Sequence, residues 1–180
     1  KNDLISRAYY KIEEIDKKYN IFENSNLILD IGCSPGGWIQ YALTKKNLKV
    51  VGIDILPMKK IFSDRFTFYE HDLNKIDEID EIFKKNDYLF DVIISDIAPN
   101  TSGNQFLDQV NSYNLSNLSF NFVEKYLKRR GHFLVKNFQG GDTDKLFKEI
   151  KSIFSKCSYL KPDASDKKSK EIYILGLEKK

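Results

Sequence analysis

The sequence predicts an α/β protein built on a mostly parallel β-sheet with helices on both faces. Short apolar runs recur at intervals of roughly 20 to 40 residues, a spacing that suits crossover connections rather than hairpins. The stretches between them carry apolar residues at helical spacing. Several runs also lead into a charged residue, at Asp30, Asp54, Asp72, Asp96 and Lys136. Open α/β sheets bind ligands beyond the carboxyl ends of their strands, so this row marks a candidate site.

Taken in order, Leu4, Ile5, Ala8, Tyr9, Ile12 and Ile15 predict an amphipathic first helix over residues 4–18, with Arg7, Lys11, Lys17 and Lys18 on its other faces. Asn24-Ser25-Asn26 breaks the pattern, and Leu27 to Ile31 reads as a buried strand. Gly32, Pro35, Gly36 and Gly37 then crowd into a tight loop, and a helix follows from Gly37 to Lys45, ending near Asn47. Further strands are expected at Lys49 to Asp54, Phe66 to Glu70, Phe90 to Ser95 and His132 to Val135, with a terminal strand at Ile172 to Leu177. Helices are expected over residues 75–86, 106–128 and 143–155. There is no internal repeat and no low-complexity linker.

A chain of 180 residues fits one domain over residues 1–180, with residues 1–25 as an N-terminal helical segment packed on it. The net charge of +3, from 29 basic and 26 acidic residues, neither demands nor excludes a polyanionic partner. Cys33 and Cys157 are far apart, with no CxxC pair or Cys/His cluster. That argues against a disulfide framework or a zinc site and for a reducing, intracellular setting. No apolar run approaches the ~18 residues that span a bilayer, so no membrane partner is expected. The sequence opens on Lys1 rather than methionine, which leaves a targeting segment, and with it the compartment, open.

The glycine loop sets the ligand class. Glycines let backbone approach a ligand closely, and the next helix offers it unpaired N–H groups. Cys33-Ser34-Pro35-Gly36-Gly37 after Gly32 is neither a dinucleotide fingerprint nor a P-loop. Asp54, closing the second strand, suits the two hydroxyls of a ribose, and Asp72 suits the exocyclic amine of a base. A ribose and an adenine with no phosphate point to S-adenosylmethionine.

Six blocks carry a resemblance. They are Ser6-Arg7-Ala8-Tyr9-Tyr10-Lys11, Asp30-Ile31-Gly32-Cys33-Ser34-Pro35-Gly36-Gly37-Trp38, Asp54-Ile55-Leu56-Pro57-Met58, Ser95-Asp96-Ile97-Ala98-Pro99-Asn100, Val135-Lys136-Asn137-Phe138-Gln139-Gly140, and Lys161-Pro162 with Ser169-Lys170-Glu171-Ile172-Tyr173. In this order the chain resembles the FtsJ-like RNA 2′-O-ribose methyltransferases, of the type that methylates large-subunit ribosomal RNA. The resemblance implies a Rossmann-like S-adenosylmethionine-dependent methyltransferase fold, with a mostly parallel seven-stranded sheet and an antiparallel last strand. It implies a catalytic tetrad at Lys11, Asp96, Lys136 and Glu171. It places cofactor contacts at Gly32, Ser34, Pro35, Gly36, Gly37, Trp38, Asp54, Ile55, Met58, Asp72, Leu73 and Asp96. Cys33 and Ser34 stand where the family often has alanines, and lysines precede Glu171 where it often has arginines.

Taken singly, Lys11 reads as a solvated helix lysine, Glu171 as a charge that blunts a sheet edge, and Trp38 as core. The ordered blocks raise them to a site. Lys136 is expected to act as general base or to orient the ribose hydroxyl. The expected partner is RNA, ribosomal RNA first and tRNA second, bound by a monomer with a helper protein or a ribosomal particle as candidate assistance. A tRNA anticodon-loop 2′-O-methyltransferase is the alternative within the class. A nicotinamide-dependent oxidoreductase and a non-catalytic RNA-binding module are the alternatives outside it.

Overall fold

The computed structural model describes residues 3–58, 61 and 63–180. In chain order the elements are α1 (Ala8–Tyr19), β1 (Leu27–Ile31), α2 (Gly37–Ala42), β2 (Lys49–Asp54), β3 (Phe66–Glu70), α3 (Ile76–Lys85), β4 (Phe90–Ser95), α4 (Gln105–Tyr126), β5 (Leu127–Phe138), α5 (Thr143–Ile153), β6 (Phe154–Leu160) and β7 (Glu171–Lys179). The strands form one seven-stranded sheet in the order β3-β2-β1-β4-β5-β7-β6. Strands β1 to β5 pair in parallel, and β7 lies antiparallel between β5 and β6. The fold class is as the sequence predicts, including the antiparallel last strand.

Chain direction across the sheet reverses beside β1, which pairs with β2 on one side and β4 on the other. The carboxyl ends of β1, β2 and β4 meet at this switch point, the position at which open α/β sheets bind their ligands. Two apolar layers cover the sheet. Ile12, Ile15, Trp38 and Ile39 of α1 and α2 pack on one face, and Ile79, Phe83, Phe122, Val123, Leu146 and Ile150 of α3, α4 and α5 pack on the other. Among the described residues, no helix is long and apolar enough to cross a membrane.

Several boundaries differ from expectation, and those of α1 and α2 do so for reasons outside the local pattern. α1 begins at Ala8, because Gln40 of α2 holds residues 3–5 against it: its Oε1 accepts from Ile5 N at 3.0 Å and its Nε2 donates to Asp3 O at 3.1 Å. α2 stops at Ala42, and the Arg65 guanidinium donates to the carbonyls of Leu43, Lys45 and Leu48 at 2.8 to 3.1 Å, satisfying acceptors that a longer helix would have used. β5 extends from Leu127 to Phe138 through Lys128-Arg129-Arg130, across an irregular register with β4 and a positive φ of 64° at Arg130. β6 was not expected, and α5 ends two residues before the expected helix does. As an edge strand β6 buries only its terminal Phe154 and Leu160, so it lacks both an apolar run and clean alternation.

Asp91 of β4 ties three strands at the opposite end of the sheet. Its Oδ2 accepts from Asn26 N at 2.8 Å and Leu27 N at 3.0 Å, and its Oδ1 accepts from Lys128 Nζ at 2.8 Å. Burial pushes its pKa up, but Lys128 and the two backbone N–H groups outweigh that and hold the carboxyl below its ordinary value. The stabilisation is therefore present above the unfolded-state pKa, about 3.9, and is lost as pH falls through the folded-state value. Asp91→Ala is expected to lower unfolding free energy by about 1–3 kcal/mol at neutral pH. Denaturant melts should show the gap between variant and parent closing below about pH 4.

Candidate active site

The loop between β1 and α2 is shaped by the absence of side chains. Gly32 and Gly36 have φ of 73° and 112°, a region L side chains rarely adopt. A Cβ on Gly32 would stand 2.6 Å from Ile97 Cβ, so the loop lies against the chain just past Asp96. A Cβ on Gly36 would meet Met58 Cε at 3.0 Å, and one on Gly37 would strike Ser6 Oγ and approach Tyr9 N at 3.2 Å. The loop is thus wedged between the end of β4, the segment after β2 and the start of α1.

Asp54 latches two of these parts together. Its Oδ2 accepts from Ser34 N and its Oδ1 from Leu56 N, both at 2.8 Å. Ser34 Oγ donates to Pro57 O at 3.1 Å, and the Ser34–Pro35 peptide is cis. Each Asp54 oxygen keeps lone-pair capacity for a further donor. Ile55 beside it is exposed. Asp72 stands next to Asp54, since His71 N donates to Asp54 O at 2.8 Å. Backbone and side-chain N–H groups of Asn74, both 2.9 Å from Asp72 Oδ1, hold its carboxyl below the ordinary value. Leu73 is buried in the core, and Trp38 lies beneath the loop with its indole N–H donating to Ala8 O at 3.0 Å.

Asp30, which the sequence marked only as a strand end, is the least satisfied group of the region. It is 1% exposed, and its Oδ2 has no partner among the described residues. Burial, then the charges of Asp96 and Asp54, raise its pKa well above the ordinary carboxylate range. An orphaned carboxyl oxygen under a loop that excludes Cβ atoms fits a ligand that brings close contact and a donor group.

The four expected tetrad residues meet in two ion pairs. Lys136 Nζ donates to Asp96 O at 2.6 Å and lies 3.2 Å from Asp96 Oδ1. Lys11 Nζ lies 2.7 Å from Glu171 Oε1. Burial raises the Glu171 pKa, but the charges of Lys11 and Lys136 prevail and leave it below the ordinary value. Tyr173 joins the pairs: its hydroxyl donates to Asp96 Oδ1 at 2.6 Å, its ring centroid is 6.0 Å from Lys11 Nζ, and its ring packs 5.9 Å from that of Trp38. No role was expected for Tyr173. The signal was its spacing, two residues past Glu171 on a strand, which puts both on one face.

A buried polar network supports Lys136 from α4. Ser116 Oγ reaches the carbonyl oxygens of Lys136 at 2.7 Å and Ser112 at 2.8 Å and accepts from Asn137 Nδ2 at 2.9 Å. Ser112 Oγ accepts from Phe138 N at 2.9 Å, and Ser119 Oγ is 3.1 Å from Ser95 Oγ. On the outer side, Lys161 Nζ donates to Ser169 O at 2.6 Å and Glu171 O at 2.7 Å, while Glu14 accepts from the backbone of Asp163 and Ala164. Lys161 therefore holds the chain together, and the other exposed charges of that segment are Asp163, Asp166, Lys167, Lys168 and Lys170.

The chain matches the family model described as FtsJ-like methyltransferase over residues 4–179. It is 37% identical over 182 residues to the ribosomal RNA large subunit methyltransferase E of Bdellovibrio bacteriovorus, covering 99% of this chain and 92% of that protein. To the protein of the same name from a Wolbachia of Brugia malayi it is 39% identical, covering 98% and 80%. A crystal structure from Plasmodium falciparum, described as a ribosomal RNA methyltransferase, superposes with a TM-score of 0.83 at 34% identity, covering 97% of each chain. Human methyltransferase-like protein 13 shares the fold at a TM-score of 0.65 and 13% identity, covering 97% of this chain and 80% of that one.

Ser116→Ala strands the Asn137 amide and the Lys136 carbonyl where water does not reach. Chemical denaturation is expected to show a loss of about 1–3 kcal/mol. An unchanged midpoint would mean the network contributes nothing to stability.

Proposed function

Since the chain belongs to the FtsJ-like methyltransferase family, whose members use S-adenosylmethionine, we propose that it transfers the methyl group to a ribose 2′-hydroxyl of large-subunit ribosomal RNA. The arrangement of Lys136 is the observation that carries this reading. Two of the three positions on its nitrogen are engaged by Asp96, and the third is left for a hydroxyl. As a lone pair, that position takes the hydroxyl proton; as an N–H, it orients the oxygen. The names and identities of the relatives support ribosomal RNA as the substrate.

The loop region fits the cofactor on the observations above. Asp54 and Asp72 would hold the ribose and the base, Met58 and Ile55 would flank the base, and the Gly32–Gly37 loop would meet the methionine end. Asp30 Oδ2 would gain the donor it lacks from the methionine ammonium. The cofactor supplies an electrophilic methyl on a sulfonium, and the chain supplies alignment, which is the larger part of such a displacement. Tyr173 and Lys136 hold Asp96 between cofactor and substrate, and Glu171 fixes Lys11 beside them.

The direct test is transfer of labelled methyl from S-adenosylmethionine to large-subunit ribosomal RNA, with tRNA in parallel and the product mapped as an alkali-resistant 2′-O-methyl nucleotide. Label on a base, or on tRNA alone, refutes the proposal. Lys136→Ala is expected to lower transfer about 100-fold or more, with cofactor affinity by calorimetry unchanged. The pH profile of single-turnover transfer then separates the two roles: a rate that rises with pH in the parent and not in Lys136→Ala assigns Lys136 as base, and one that falls assigns it as the orienting group. Asp54→Ala is expected to weaken cofactor binding about tenfold or more, since it removes charge-assisted hydrogen bonds. An unchanged dissociation constant would sink the ribose contact.

A further inference from the structure

Next to the lysine and carboxylate cluster, a groove of about 350 Å³ opens between the loop after β4, the first turns of α4 and the segment before β7. Its lining includes Thr101, Asp108, Gln109, Phe138, Ser169 and Lys170. Each wall continues a strand that carries an active-site group. Thr101 follows Asp96 in the loop, Phe138 lies two residues past Lys136, and Ser169 lies two before Glu171. Phe138 also pairs in register with Glu171, so the floor of the groove adjoins the Lys11–Glu171 pair.

The groove is held in shape by its own hydrogen bonds. Gln139 N donates to Lys170 O at 2.9 Å, and Gln109 Nε2 donates to Gln139 O at 2.8 Å. A Cβ on Gly140 would come within 2.7 Å of the end of the Gln109 side chain, which would have to shift to admit it. On the far wall Asp108 Oδ1 accepts from Ser102 N at 2.7 Å and Ser102 Oγ at 2.8 Å. That leaves a half-buried phenyl ring, a second carboxylate oxygen on Asp108 and the exposed ammonium of Lys170 lining one cleft. Phe106, in the first turn of α4, is 70% exposed beside it.

Sequence-specific RNA recognition targets loops and bulges whose bases are splayed out of the stack, and a target ribose in such a segment brings its neighbouring bases to the rim of the cluster. Unpaired bases are received by aromatic faces and by hydrogen bonds at their edges. We propose that this groove seats an unpaired base of the RNA substrate next to the methylated ribose, stacked on Phe138 with Asp108 and Lys170 at its edge. The inference rests on the reading of the chain as an RNA 2′-O-methyltransferase.

The test is photo-crosslinking of the full chain, with S-adenosylhomocysteine added, to large-subunit ribosomal RNA carrying photoreactive thio-substituted bases, followed by peptide mapping. Crosslinks are expected within residues 137–141 or 169–170. Phe138→Leu is expected to raise the KM for RNA about tenfold, the loss of one stacked base, with cofactor affinity unchanged and Phe138→Tyr restoring the parent value. Crosslinks confined to other surfaces, or an unchanged KM in Phe138→Leu, overturn the groove alone. RNA that does not bind at all overturns both the groove and the ribose reading beneath it. The mapping uses the unaltered chain, so it decides the question even where a variant fails to fold.

Discussion

The register between β5 and β7 is the constraint on which the site depends. Because β7 runs antiparallel to β5, Lys136 pairs with Tyr173 and Phe138 with Glu171. Side chains alternate along a strand, so Glu171 and Tyr173 share a face, and a slip of one residue would send both to the other side of the sheet. With the register as it is, Tyr173 and Lys136 both reach Asp96, and Glu171 meets Lys11. Several contacts keep it there. Gly176 leaves room for the Phe154 ring, which a Cβ would approach to 2.6 Å, Lys161 gathers the carbonyls of Ser169 and Glu171, and Gln139 N extends the pairing to Lys170 O.

The electrostatics of the crevice divide into a paired half and an unpaired half. Around Lys136 and Lys11 two cations face two carboxylates, with Tyr173 between them. Buried ion pairs contribute little net stability, because desolvation offsets most of their attraction, so this cluster is better explained by what it does than by what it holds together. Under the glycine loop Asp30 and Asp54 lie near Asp96 without an ion-pair partner of their own among the described residues, and burial together with the neighbouring acids raises the Asp30 pKa. Under the proposed function, a ligand carrying positive charge at an ammonium and a sulfonium would complement that half, and a ribose hydroxyl the other.

The strands most legible in the sequence are those buried on both faces, and the edge strand β3 was also legible because Phe66, Phe68 and Tyr69 give it a strand composition. β1, β2 and β4 lie in the middle of the sheet with helices on both faces, so they read as unbroken apolar runs and end where expected. β6 was not legible, because an edge strand with one partner exposes Ser155, Lys156, Ser158 and Tyr159. The start of α1 and the end of α2 were misjudged because Gln40 and Arg65, remote in sequence, supply the hydrogen bonds that would otherwise come from the helices. Within the site, Lys11 and Glu171 stood out only through the order of six blocks, whereas Asp96 and Lys136 were also marked as charges at strand ends. Tyr173 stood inside one block and received no role, because an aromatic at strand spacing looks the same whether it packs or positions.

What the sequence by itself determined is therefore local: apolar runs that must become strands, a glycine loop no side chain could fill, and a polar residue at each strand end. Only the tertiary structure decided partners. Lys11 and Glu171 are separated by most of the chain and meet because α1 packs over the face that β7 presents. Lys161, which the sequence shows only as half of a Lys-Pro pair, binds the backbone carbonyls of Ser169 and Glu171. Asp54 looked free for a ligand and already holds Ser34 and Leu56. Periodicity and backbone preference are properties of neighbours along the chain, whereas an ion pair or a shared carboxylate depends on register and crossing, which are settled only when the sheet assembles.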